Sequence, residues 1–194
     1  MTTRMTSSIR TSTTNLLRLA LLSSLITVPA LFAADNDTAA TKHSPHAAAS
    51  PATLVALVRD GTAKYIDVNA ATAAGYGPFL GCVAGTDHGA MGIHYVNGTL
   101  LADLTLDPAR PQALIYEPSD GKMTLVGVEF ILDSASWLAK NGAPPVLDGQ
   151  VFNFVGYPNR FNINSFFELH VWAWRDNPQG SFVDWNDAVA CDGQ

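Results

Sequence analysis

Apolar positions change their spacing along this chain. Between Thr53 and Ala74 they recur at helical intervals: Leu54, Leu57 and Val58 fall on one face, and the Ala-rich run from Asn69 to Ala74 continues the trend. Ser50-Pro51 has the form of a helix start, with Gly61 and Gly75 as stops, so two short helices are expected at about 52–60 and 65–74. Beyond Gly81 the spacing falls towards two. Strands are expected at Met91–Val96, Leu100–Leu106, Ala113–Tyr116 and Thr124–Leu132, with Asn97-Gly98 as a tight turn and Pro118 to Gly121 as a hairpin turn. Ser136 to Asn141 suggests one helical turn ending at Gly142, and Val151 to Val155 a short strand or loop. The clearest alternation is FFELHVWAW, Phe166 to Trp174. Read as a strand, it sends Phe167, Leu169, Val171 and Ala173 to a core face and Glu168, His170, Trp172 and Trp174 to the other.

Helical signals first and strands later, joined by hairpin-length turns, predict an α+β fold. Short N-terminal helices should precede a mainly antiparallel sheet or a small, partly open barrel. No GxGxxG or GxxxxGK[ST] loop occurs, so nothing in the sequence points to a phosphate cradle.

The first residues carry a different pattern. Arg4, Arg10 and Arg18 form a basic lead, and the apolar run Leu19 to Ala34 follows, interrupted by Ser23, Ser24, Thr27 and Pro29. This is the form of a signal peptide over residues 1–34, with cleavage within 30–34, and not of a spanning helix. Residues 35–51, rich in Ala, Ser, Thr and Pro, read as a disordered tether, leaving 52–194 as a single α+β domain. The expected compartment is the periplasm or the medium.

Losing the leader removes three arginines and no acid, so the remainder carries eight basic and 17 acidic residues, a net −9. An acidic body does not suit nucleic acid or a basic membrane-surface patch; a small-molecule ligand is the partner the sequence leaves open. Two cysteines, Cys82 and Cys191, have one pairing open to them in an oxidising compartment, and neither has a Cys or His at metal-ligand spacing.

Candidate chemistry comes from polar groups set in apolar strands. Glu129 lies inside LVGVEFIL, where a carboxylate must be paired, hydrogen-bonded or metal-bound. His94 and His170 fall in two other strands. If the three share a sheet face or barrel interior, two imidazoles and a carboxylate suit one divalent transition metal ion (Zn, Mn, Fe or Cu), with Glu168 as a fourth ligand or supporting partner. The same residues also suit a metal-free polar network. Trp172 and Trp174 fit either core packing or a platform for a small ligand such as a sugar. No GxSxG elbow accompanies Ser165 or Ser181, while Glu129 and Glu168 could in principle flank a glycosidic bond.

With MGIHYVNGTLL, LIYEP, LVGVEFIL and FELHVWAWRDNPQGSFVDWN in view, the chain resembles a family of small exported bacterial proteins of unassigned function, over about residues 60 to 191. The resemblance implies export and carries no catalytic assignment. Three readings are therefore set side by side: an exported domain with a His94/Glu129/His170 metal or polar site, a non-catalytic binding module using the Trp face, and a structural envelope protein.

Overall fold

The computed structural model describes residues 50–192; the leader expected at 1–34 and nearly all of the expected tether lie outside the described residues. Helix α1 spans Pro51–Thr62, with Pro51 at its first position, where a missing N–H costs nothing. The Ser50 side chain makes no capping hydrogen bond there. A short 3-10 turn, Ala63–Tyr65, leads to α2, Val68–Ala73, which the Asp67 carboxylate caps by accepting from the Asn69 amide.

Eight strands follow: β1 Gly77–Ala84, β2 Ala90–Val96, β3 Ala113–Ser119, β4 Lys122–Asp133, β5 Val146–Leu147, β6 Gln150–Val151, β7 Asn153–Val155 and β8 Phe166–Val171. Six form a strongly curled, half-barrel sheet in the order β1-β2-β3-β4-β8-β7, every neighbouring pair antiparallel, while β5 and β6 pair separately. The α+β expectation therefore holds. Helices α3, Gly98–Asp103, and α4, Ser134–Asn141, sit between strands.

Two local expectations are corrected. Asn97-Gly98 is no hairpin turn: the Asn97 side chain accepts hydrogen bonds from the Thr99 and Leu100 amides and caps α3, so Gly98 to Asp103 are helical where a strand was expected. No strand was expected before Met91, yet Gly77–Ala84, including Cys82, form the edge strand β1. The Pro118–Gly121 turn does join β3 to β4, with Asp120 and Gly121 both at positive φ (50° and 74°), as a primed hairpin turn requires.

One sheet face carries Leu114, Tyr116, Val128, Phe130, Leu169 and Val171 against Leu54, Val58 and Ala71 of the helices. Polar tips within this layer are satisfied: the Tyr116 hydroxyl donates to the Tyr65 carbonyl at 2.6 Å and the Tyr76 hydroxyl to Pro111 at 2.8 Å. The opposite face holds a smaller cluster, Ala90, Ile115, Val126, Trp172 and Val189, with Cys191 beside it. The C-terminal segment is strapped across this face. Its Asn186 forms a backbone bridge with Ala90, and Gly89 is required there because a Cβ would lie 2.2 Å from the Asn186 carbonyl oxygen. Glu117 accepts from the Ala190 amide at 3.0 Å and pairs with the Arg175 guanidinium.

Cys82 of β1 is disulfide-bonded to Cys191, closing a separation of 109 residues. Among the described residues the strap pairs as strand only at the Asn186 bridge, and side-chain hydrogen bonds such as Arg175 to the Ala188 carbonyl and Asn177 to the Trp185 carbonyl hold it together with the covalent link. Replacing both cysteines by serine should lower unfolding free energy by about 4 kcal/mol on the loop-entropy scale, as read by denaturant titration.

Candidate metal centre

Antiparallel register assembles the site. Glu129 of β4 pairs directly with His170 of β8 and with Ala113 of β3, while His94 of β2 pairs with Ile115 of β3. Ala113 and Ile115 are two residues apart on one face, so the three functional side chains rise from three strands on the side opposite the helices. All three are buried. His94 Nε2 lies 3.2 Å from Glu129 Oε2, and the His94 and His170 rings meet edge to face with centroids 5.8 Å apart. One ligand atom from each of His94, Glu129 and His170 can be chosen so that all lie within 4.8 Å of one another. A tetrahedral ion with bonds near 2.1 Å spaces its donors by about 3.4 Å, so small side-chain adjustments would close the three around one ion.

Glu168, two residues before His170, falls on the same face but joins a different group, Glu168/His170/Asp184, also within 4.8 Å. His170 is thus the member common to both. Its Nδ1 lies 3.6 Å from Asp184 Oδ1, just beyond hydrogen-bond length, and neither ring nitrogen has a hydrogen-bond partner although the residue is 1% exposed. Leaving such an atom bare costs about 1–3 kcal/mol.

Electrostatics separate the two glutamates. Burial pushes Glu129 up, but His170, hydrogen bonding and charge from His94, and a hydrogen bond with Glu168 outweigh it and hold Glu129 at about 2. Burial, then the Glu129 charge and the hydrogen bond with it, push Glu168 up to about 9. At neutral pH the pair is a carboxylic acid donating to a carboxylate. Burial likewise lowers His170, against the pull of Glu129, and keeps it neutral. A neutral imidazole carries no net charge, so we attribute the ionised state of Glu129 to His94 and Glu168 more than to a full charge on His170.

The two indoles part company. The β8 pairing ends at Val171, the Ala173 amide donates back to the Val171 carbonyl, and alternation is lost. Trp172 stays on the His170 side: 3% exposed, stacked on the His170 ring at 6.1 Å, it donates from Nε1 to the Val183 carbonyl. Gly127 makes room for it, since a Cβ there would come within 3.1 Å of the indole. Trp174 turns to the helical core and donates to Thr62 Oγ1 at 3.1 Å. The expected shared row therefore stops at Trp172, which is buried and offers no open face to a sugar, while Trp174 is half-buried on the opposite side. Glu129 and Glu168 hydrogen-bond each other, which leaves no gap for a glycosidic bond between them.

Beside His94 and Glu129 a small cavity of about 40 Å³ is walled by Phe79, Leu80, Val83, Phe161 and Ile163 among others. It adjoins a wider one of about 340 Å³. The site is thus covered by Trp172 on one side and approachable from the β1 edge. Asp184 and the covering loop with Phe161 and Ile163 were absent from the sequence expectations. They sit in irregular segments, where no periodicity marks them.

Comparison with protein-family models, curated proteins and solved structures finds no match for this chain.

The two protonation states predict an asymmetry in metal-free protein at pH 7. Glu168→Gln, an isostere of the protonated acid, also removes the cost of holding a proton that the unfolded chain would release, so stability should hold or rise. Glu129→Gln should lose about 1.5–3 kcal/mol, the scale of hydrogen bonds to a charged group. Paired denaturation curves check this, and equal losses would contradict it.

Proposed function

We propose that this is an exported protein that binds one divalent transition metal ion through His94, Glu129 and His170, with a further coordination position facing the cavity. The observation that carries the reading is His170: a fully buried imidazole with both nitrogens unpartnered, within ligand distance of a second imidazole and a carboxylate. Buried polar atoms are normally satisfied, and an ion on one nitrogen with Asp184 tightening onto the other would satisfy both. Glu168 would remain as the hydrogen-bond partner of Glu129, orienting that ligand. Two nitrogens and one oxygen, with a side left open, suit Zn(II) first and Mn(II), Fe(II) or Cu(II) after it. An ion so held polarises a carbonyl or lowers the pKa of a bound water.

Export is supported by the basic-then-apolar pattern of residues 1–34 and by the Cys82–Cys191 disulfide, which suits an oxidising compartment. The resemblance to small exported bacterial proteins points the same way.

Elemental analysis of the mature protein after mild purification should find one equivalent of a transition metal. Chelation should lower the melting temperature, and a divalent ion should restore it; at a concentration a hundredfold above Kd the restored stability is about 2.7 kcal/mol. His170→Ala should remove both the metal and the ion-dependent shift. Sub-stoichiometric metal, unchanged in His170→Ala, would falsify the proposal.

A further inference from the structure

We infer that the cleft beside this centre binds a neutral small molecule with an apolar body and one terminal oxygen, a hydroxyl or carbonyl, directed at His94 and Glu129. The inference rests on the metal reading only for what the oxygen meets; the apolar body stands on the cleft alone. The inner cavity and the outer one share five lining residues, Phe79, Val96, Ile131, Ile163 and Phe166, and so adjoin along a common wall. Its size is graded. About 40 Å³ at the inner end holds a few water-sized groups, while about 340 Å³ outside is within the range of small-ligand sites.

Chemistry is graded in the same direction. Polar groups on the inner part are His94 and Glu129 alone, whereas the outer walls are aromatic and aliphatic up to the rim, where Asp133 and Asn164 stand. Phe79, Leu80 and Ile163 are 40%, 57% and 38% exposed, an apolar surface held open to solvent beside a buried polar end. Leu80 stands at a φ of 59°, a conformation a branched side chain rarely takes, and it lines the small cavity beside His94 and Glu129. Strain of this kind persists where surroundings enforce it and often marks a binding site.

Charge selects the ligand further. Among the described residues no lysine or arginine lines either part, and the carboxylates present are Glu129 and Asp133. In the metal-free protein an anionic head would meet repulsion from these carboxylates with no lysine or arginine to offset it, and a neutral oxygen is the terminus that fits both the metal-free and the metal-loaded site. In the metal-loaded protein that oxygen would occupy the open coordination position; in the metal-free protein it would hydrogen-bond the His94–Glu129 pair.

Calorimetric titration with octan-1-ol and butan-1-ol tests this on metal-loaded and chelator-treated protein. Each methylene fully removed from water is worth about fourfold in affinity; with the four extra methylenes of octan-1-ol only partly covered in an open cleft, it should still bind at least about tenfold tighter than butan-1-ol in both forms. Ile163→Asp and Phe79→Asp, both at exposed rim positions, should abolish that difference without loss of fold, which circular dichroism would verify. A difference below about twofold in the parent protein, or one that survives both substitutions, overturns the cleft. Cobalt(II)-loaded protein separates the two readings: saturating octan-1-ol should shift its visible absorption as an oxygen enters the coordination sphere. If cobalt is not taken up, the metal reading fails while the chain-length dependence still decides the cleft. If cobalt is held and octan-1-ol binds without a spectral change, the direction assigned to the oxygen is overturned.

Discussion

A carboxylate in the middle of an apolar sheet must be compensated, and the placement of much of this molecule follows from that need. Glu129 is 5% exposed in the longest strand, with Val128 and Phe130 on either side fully buried. Removing an ion from water costs several kcal/mol even after the protein relaxes. The compensation comes from strands distant in sequence: His94 from β2, and Glu168 and His170 from β8. Only one register brings them together, since a shift of one residue would send Glu129 and His170 into the helical core and Phe130 and Leu169 to the polar side. Site geometry and sheet register are thus one constraint seen from two directions.

Around that constraint the polar groups are layered. His94, Glu129 and His170 form the inner set, with Glu168 against Glu129 and Asp184 against Nδ1 of His170. Outer carboxylates that orient inner ligands are a familiar arrangement of metal sites, and they fix which face of each ligand is free. Trp172, stacked on His170 over Gly127, seals one side, and the C-terminal strap tied by Cys82–Cys191 lies over that same face. The other side opens towards β1 and the loop bearing Phe161 and Ile163. A centre closed behind and open in front suits binding or chemistry better than a purely structural role.

Much of this was legible in the sequence because strands announce their faces. An acid with apolar neighbours on both sides marked Glu129, and alternation in FFELHV placed His170 opposite Phe167 and Leu169. Where strand geometry ends, legibility ends. Trp174 follows the alternation on paper yet lies on the opposite side, because the pairing is interrupted after Val171, where the Ala173 amide turns back to the Val171 carbonyl before Trp174 and Arg175 bond again to Val126. Asn97-Gly98 carries the same residues as a hairpin turn, but Asn also caps helices, and the capping bonds to Thr99 and Leu100 prevailed. Asp184, Phe161 and Ile163 lie in irregular segments whose position is set by tertiary packing and a disulfide, so no local pattern could assign them to the site.

The most direct test is crystallographic: anomalous diffraction at the zinc edge from crystals of the mature protein equilibrated with Zn(II). A single strong peak within about 2.3 Å of one nitrogen each from His94 and His170 and of a Glu129 oxygen is the expected result. A cluster without an anomalous peak, its His170 nitrogens hydrogen-bonded to water or protein, would contradict a metal role and leave a buried polar network in its place.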